Sequence, residues 1–236
     1  MSIVEPLNAR QLYAQLYAGY GPQHWWPGET PFEITVGAVL TQNTAWQNVA
    51  IAIENLRSAD LLSARALADA PEGRIKQAIR PAGFYNVKYT RLRNLLAAIE
   101  REGGLETMRT WPTEALRECL LAVNGVGPET ADSILLYAFC RPVFVVDSYT
   151  RRLLTRLGHI WAQDVPYATV QQWFVDTIDP ETAVYNEYHA LIVAHGKARC
   201  RARPRCAGCP LSGSCPNRVS ATNTHKPTQL VPCEAV

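Results

Sequence analysis

Four thiols fall within sixteen residues near the end of the chain, at Cys200, Cys206, Cys209 and Cys215, while Cys119, Cys140 and Cys233 lie scattered. Thiolates are soft ligands, and their spacing of five, two and five intervening residues suits either zinc or an iron–sulfur cluster. Zinc sites more often use two short Cys pairs and this segment has one, so spacing leaves both metals open. Lys197, Arg199, Arg201, Arg203 and Arg205 run into and through the first cysteine loop, five cations in nine residues. On an anchored turn that run suits phosphate contact, against the plainer reading of a solvated charged face. A second candidate is the turn Asn124-Gly125-Val126-Gly127-Pro128, whose glycines let backbone N–H groups approach an anion, although helix connections of this kind are common. A third is Asp147, which ends the apolar run Val143-Phe144-Val145-Val146 just before a helix opens. A carboxylate there serves either as a helix N-cap or as a group for chemistry. Trp25, Trp26 and Trp46 flank the first helical stripes, where the ordinary role of an indole is core packing.

The elements that must position these groups are helical. Phe32, Val36, Val39 and Leu40 form one apolar stripe, and Trp46, Val49, Ile53 and Leu56 the next, with Thr44 placed to cap the second. Further helical stretches are expected at Leu61 to Ala70, Arg74 to Arg80, Val87 to Arg101, Glu114 to Val123, Glu129 to Phe139, Tyr149 to Leu157, Thr169 to Ile178 and Val184 to His195. Pro71, Pro81-Ala82-Gly83, Gly103-Gly104, Pro112 and Gly158 punctuate them, no convincing strand is readable, and the fold class is all-α. At 236 residues, 47% hydrophobic and 19% charged, the chain can bury one generous core or two modest ones. A net charge of +2 is too small to argue for a nucleic-acid partner, so the clustering of charge carries that argument. Without a long apolar span or a signal-peptide pattern the expected compartment is the cytoplasm, with no membrane partner, and its reducing chemistry weighs against disulfides. Residues 219–236 are expected to be a disordered tail.

The run Leu120-Leu121-Ala122-Val123-Asn124-Gly125-Val126-Gly127-Pro128-Glu129-Thr130-Ala131-Asp132, then Val145-Val146-Asp147, then the four cysteines, resembles the endonuclease III branch of the helix-hairpin-helix DNA glycosylases. Gly83-Phe84-Tyr85-Asn86-Val87-Lys88 and Leu40-Thr41-Gln42-Asn43 are similar to that branch too, and the match runs in order from about Pro31 to Cys215. The resemblance implies two helical domains with the active-site cleft between them. A six-helix barrel domain with the hairpin would span residues 31–141, and an iron–sulfur domain would be built from residues 1–30 and 142–218. It also implies that Gly125, Val126 and Gly127 sit on a DNA phosphate and that the cysteines hold a [4Fe-4S] cluster rather than zinc. Lys197, Arg201, Arg203 and Arg205 would lie against the DNA backbone, Asp147 would be catalytic, and Gln42 would fill the gap left by a flipped base.

Two positions depart from that pattern. Bifunctional members carry a lysine nucleophile two residues after the second hairpin glycine, where this chain has Glu129, and a carboxylate cannot form a Schiff base. The first cysteine loop has five residues where the family usually has six. The expected activity is therefore hydrolysis by a monofunctional, monomeric glycosylase acting on damaged bases in duplex DNA. His24-Trp25-Trp26-Pro27-Gly28 with Leu40 to Trp46 is similar to the bacterial 3-methyladenine DNA glycosylases of the same branch, which also carry glutamate there. Trp25, Trp26, Trp46, Gln42 and Glu129 would then surround the base, because an indole pocket favours an alkylated purine carrying positive charge. Two rival readings remain. One is a glycosylase and lyase on oxidised pyrimidines that uses another amine, Lys88 or Lys197, although Lys88 is expected to face DNA or solvent. The other is a non-catalytic iron–sulfur module that binds DNA.

Overall fold

A computed structural model describes residues 6–25 and 28–219; Trp26 and the tail from residue 220 onward lie outside the described residues. Among the described residues the regular structure is helical and contains no strand. In order the helices are α1 (Ala9–Tyr20), α2 (Pro31–Leu40), α3 (Trp46–Ser58), α4 (Ala64–Asp69), α5 (Glu72–Ile79), α6 (Tyr85–Arg101), α7 (Leu105–Met108), α8 (Thr113–Leu121), α9 (Pro128–Ser133), α10 (Ser148–Arg156), α11 (Tyr167–Val175) and α12 (Thr182–Ala198). Short 3-10 turns lie at Arg80–Ala82 and Ile160–Gln163, and a π-helical segment at Ile134–Ala138.

Local chemistry explains where several of these helices begin. Asn8 and Gln11 form a reciprocal capping box at α1, with N–H to side-chain oxygen distances of 3.0 and 2.9 Å. Thr30 caps α2 by accepting from the Glu33 N–H, and Pro31 occupies the first helical position, where its missing donor costs nothing. The cap expected from Thr44 is not made. Ala45 is the N-cap of α3 and offers no side-chain acceptor, while Thr44 Oγ1 accepts from Asn48 Nδ2 at 3.3 Å. The stretch expected as one helix from Glu129 to Phe139 widens after α9, where the Phe139 N–H reaches back five residues to the Ile134 carbonyl. Such widened turns recur at functional positions, and Tyr137 lies in this one.

Packing brings the first and last described helices together. The Tyr188 hydroxyl of α12 donates to the Ala9 carbonyl at 2.8 Å, and Tyr20 pairs with His195 at 2.8 Å, so α1 lies along α12. Helix α2 is buried on nearly every side, against α3, α6 and the π segment. The Val143–Val146 run belongs to no helix, and Phe144, Val145 and Val146 are each at most 2% exposed. Phe144 stacks on Phe174 at 3.8 Å and meets Tyr185 and Tyr188 edge-on, which anchors the segment leading to Asp147.

Lys88 departs from expectation. Its side chain faces neither DNA nor solvent; it is 2% exposed, and Nζ donates to the Leu40 carbonyl at the end of α2 and to the Ala82 carbonyl, at 2.8 and 2.7 Å. The C-terminal carbonyls of a helix form the negative end of its dipole, so an amine there satisfies acceptors the helix itself leaves open. No helix among the described residues is long and apolar enough to cross a membrane.

Candidate active site and thiol-lined cavity

Asp147 is both of the things its position allowed. Oδ1 accepts from the Thr150 N–H at 2.7 Å and from the Thr150 hydroxyl at 2.9 Å, a capping box that starts α10. Oδ2 faces His189 Nε2 at 3.6 Å, with both side chains nearly buried. Burial alone would raise this carboxyl. The His189 ring together with the Thr150 N–H and hydroxyl outweighs that, and Asp147 is held below the usual aspartate range. On its far side the His189 ring pairs through Nδ1 with the Tyr137 hydroxyl at 2.5 Å. Burial first, and the Asp147 charge second, keep that phenol protonated by raising it well above its ordinary value.

Trp25 closes this group. Its ring lies 5.6 Å from Tyr137 and 5.8 Å from His189, and the segment carrying it is fixed by the Gln23 N–H, which donates to Glu187 of α12 at 2.7 Å. Glu129, in the first turn of α9, belongs to the same electrostatic neighbourhood. Desolvation of its carboxyl and then the Asp147 charge push it up, while His189 pulls it down. The two carboxyls are thus driven apart, one anionic and the other readier to hold a proton. Trp46, at the start of α3, packs on α2: a Cβ at Gly37 would stand 3.8 Å from its ring.

The Gly125–Gly127 turn is tied to α2 and α6. Gly125 has φ +94°, and a side chain there would overlap the methylenes of Arg91, so only glycine suits both the backbone and the space. Gln42 is not free at the end of α2. Its Nε2 donates to the Gly125 carbonyl at 3.0 Å and to Thr130 Oγ1 at 2.9 Å, and its Oε1 accepts from Arg91 at 2.6 Å. Val126 is buried beneath the turn, whereas Gly127 and Pro128 are exposed. Below the turn, fully buried Asp132 accepts two bonds from Arg117, at 2.6 and 3.1 Å, and one from Gln171 at 2.8 Å, locking α8, α9 and α11 together. The Tyr167 hydroxyl of α11 accepts from the Val146 N–H at 3.1 Å, which pins the backbone immediately before Asp147.

Cys200, Cys206, Cys209 and Cys215 line one cavity, together with His195, Arg199, Arg205 and the end of α10. Burial raises the Cys215 thiol, and thiolate charge on any of the other three raises it further, so the sulfurs lie within electrostatic reach of one another. Two donors point at sulfur: Arg156 Nη1 to Cys200 and the Val219 N–H to Cys206, each at 3.3 Å. Arg156 also donates to the Arg201 and Ala202 carbonyls, and Arg152 to the Cys200 carbonyl, so two arginines of α10 hold the loop. Lys197, Arg201 and Arg203 are exposed; Arg205 is exposed but also lines the cavity.

Tyr137 and His189 were not among the residues singled out in the sequence. The only trace of His189 there is its place in the inward row Tyr185, His189, Ile192 of an amphipathic helix, where a lone histidine is ordinarily a packed core residue. Arg91, Arg152 and Arg156 were likewise unremarkable in sequence.

A family model described as HhH-GPD superfamily base excision DNA repair protein matches residues 36–173. The Methanocaldococcus jannaschii protein "Putative DNA repair glycosylase MJ1434" is 47% identical over 82% of this chain and 89% of its own length. Endonuclease III of Sulfolobus acidocaldarius is 28% identical over 73% of this chain and 75% of its own. Among solved structures, a Helicobacter pylori 3-methyladenine DNA glycosylase bound to 1,N6-ethenoadenine superposes with a TM-score of 0.69 at 31% identity, over 81% of this chain and 98% of that one. A non-covalent endonuclease III–DNA complex superposes with a TM-score of 0.74 over 88% of this chain and 94% of the other; at 24% identity it speaks for the fold alone.

Proposed function

The chain belongs to the HhH-GPD superfamily of base excision DNA repair proteins, and within it we propose a monofunctional DNA glycosylase that removes alkylated purines, 3-methyladenine first and 7-methylguanine as a further substrate, from duplex DNA. The observation that carries this reading is a buried, anionic Asp147 beside Glu129, with the chain's described amines engaged or remote. Lys88 is bonded to two carbonyls, Lys76 pairs with Glu72 on α5, and Lys197 stands on the exposed end of α12. That weighs against the lyase reading, which needs an amine at the sugar.

The chemistry follows from the charges. As the bond between C1′ and the base breaks, its electron pair leaves with the base and the sugar gains oxocarbenium character. The Asp147 carboxylate stabilises that cation and accepts a proton from the water that adds to C1′. An alkylated purine already carries positive charge and departs as a neutral molecule, so no strong acid is required. Such a base also gains about 0.5 to 2 kcal/mol from stacking on an indole, a role for Trp25 beside the catalytic group. The likeness to a 3-methyladenine DNA glycosylase supports the same substrate class. In this reading Gly125 to Gly127 meet a backbone phosphate, Lys197, Arg201 and Arg203 extend the contact, and residues 31–141 form one lobe against a second built from residues 1–30 and 142–218. The packing of α1 on α12 is what would join the two segments of that second lobe.

The thiol-lined cavity fits a [4Fe-4S] cluster. Four sulfurs surround one cavity with donors aimed at two of them, the surroundings that tune an iron–sulfur centre. Among the described residues no three His, Cys, Asp or Glu side chains are gathered around a single metal ion, and support for the cluster comes from the four soft thiols lining one cavity and from the likeness to endonuclease III. Cys200, Cys206, Cys209 and Cys215 would be its ligands; when bound it supplies a cross-link that stiffens the loop carrying Arg201 and Arg203.

The decisive experiment incubates the protein with methylated duplex DNA and follows free base. Release of 3-methyladenine that Asp147→Asn reduces by about a hundredfold or more is the expected result, the scale of losing a transition-state charge partner. Release unchanged by that substitution, or none at high enzyme concentration, overturns the reading.

A further inference from the structure

His189 has one ring nitrogen satisfied and one not. Nδ1 meets the Tyr137 hydroxyl, whereas Nε2 is buried, has no hydrogen-bond partner and looks across 3.6 Å at Asp147 Oδ2. The phenol is held protonated and so has a hydrogen to offer Nδ1. When it donates there, the ring's proton is left on Nε2, the atom aimed at the carboxylate. The groups facing the imidazole are Asp147 at the start of α10, Tyr137 in the π segment, Glu129 in α9 and the apolar face of Trp25. Trp25, the continuous α9 and π segment, and the start of α10 thus converge on a ring carried by α12.

We propose that His189 is a positioning residue for the glycosylase reaction: Tyr137 sets its tautomer, and its Nε2–H holds Asp147 ionised and aimed at the sugar. The proposal rests on the reading of Asp147 as the catalytic carboxylate. Thr150 already engages the other oxygen, so His189 alone governs the one left to face a substrate. A 3.6 Å separation leaves room for the bond to shorten when substrate excludes water and the carboxylate's charge is no longer solvated. The same arrangement orients metal-bound and catalytic imidazoles in other proteins, where a partner on one nitrogen decides what the other can do.

Two measurements test it, one independent of activity. Nitrogen-correlated NMR of the imidazole in the full chain is expected to show the proton on Nε2 in wild type and a mixture in Tyr137→Phe. In the same samples the Asp147 carboxyl is expected to titrate higher in His189→Phe than in wild type. A wild-type ring protonated on Nδ1, or an Asp147 titration unmoved by His189→Phe, overturns the proposal. The second measurement is single-turnover base release against pH. His189→Phe is expected to lose about tenfold to a hundredfold in kcat with KM little changed, the worth of a hydrogen bond to a charged group, and its acid limb moves to higher pH. His189→Gln, which keeps an N–H near the position of Nε2, recovers part of the rate. Tyr137→Phe shifts the limb in the same direction by less. Unchanged affinity for a duplex with an uncleavable abasic-site analogue shows that each variant is folded. A uniform loss of rate with an unmoved acid limb overturns the proposal. If wild type releases no alkylated base, the substrate reading fails by itself, and the NMR titration still decides whether His189 governs Asp147.

Discussion

The amine of Lys88 lies where a lyase nucleophile was one option, and its surroundings give it other work. Burial, and then the nearby Arg91 charge, bring it down to about 8 from its ordinary value. Between that pH and 10.5 the folded chain holds fewer protons than the unfolded one, so stability rises with pH across this window. Lys88→Met removes that proton and leaves the Leu40 and Ala82 carbonyls without donors. The expected loss is about 2 to 4 kcal/mol near neutral pH, from two unsatisfied acceptors. Denaturant titrations of both proteins should show the gap widening as pH climbs from about 8, since only wild type gains there. A gap that stays constant would mean the amine is solvated, and one that narrows would mean the two carbonyls hold it charged. Borohydride trapping on abasic DNA, if the variant abolished it, would instead return Lys88 to the chemistry.

Helix α12 carries more of the molecule than its apolar stripe reveals. Its middle supplies His189 to the active site, and its C-terminal turn runs into Cys200. Near that end, a side chain at Gly196 would overlap the Tyr149 ring of α10, over which Arg152 lies at 4.9 Å. Because Arg152 and Arg156 hold the Cys200 loop, the distance between α10 and α12 sets the cavity. Gly196→Ala is expected to cost about 1 to 3 kcal/mol by overpacking. It should also lower the iron and sulfide content from the full complement of a cubane, read by metal analysis and visible absorbance. Full occupancy in the variant would separate the helix crossing from the cluster, and zinc in wild type would remove the cluster altogether. The periodicity made nearly all of these helices readable, and the apolar run Val143 to Val146 ending before a helix drew attention to Asp147. Thr44 failed as a cap because α3 opens one residue later, with Ala45 at the N-cap, and the Thr44 hydroxyl accepts from Asn48 instead. Tyr137 and His189 stand 52 residues apart, one hidden in a π turn and one in an apolar row, and only tertiary packing brings their polar atoms together.

Across the whole molecule the net charge is only +2, yet three cations, Lys197, Arg201 and Arg203, are exposed together beside the thiol-lined cavity. A binding surface made this way draws affinity from released counterions, and its strength falls steeply with salt. Arg205 is the wrong residue to probe it with, because it also lines the cavity and its loss would disturb the thiols. Lys197→Gln, Arg201→Gln and Arg203→Gln together remove the exposed charge while leaving Arg152, Arg156 and Arg199 to hold the loop. The slope of log affinity for undamaged duplex against log salt should then flatten by about 0.9 for each phosphate that the variant no longer neutralises. Single-turnover base release at saturating enzyme should be unchanged, because none of the three touches the Asp147 group. A slope that stays as steep would place the DNA on another face, with the hairpin turn as the surviving anchor. A fall in the single-turnover rate would show that the loop acts on the pocket rather than on the backbone alone.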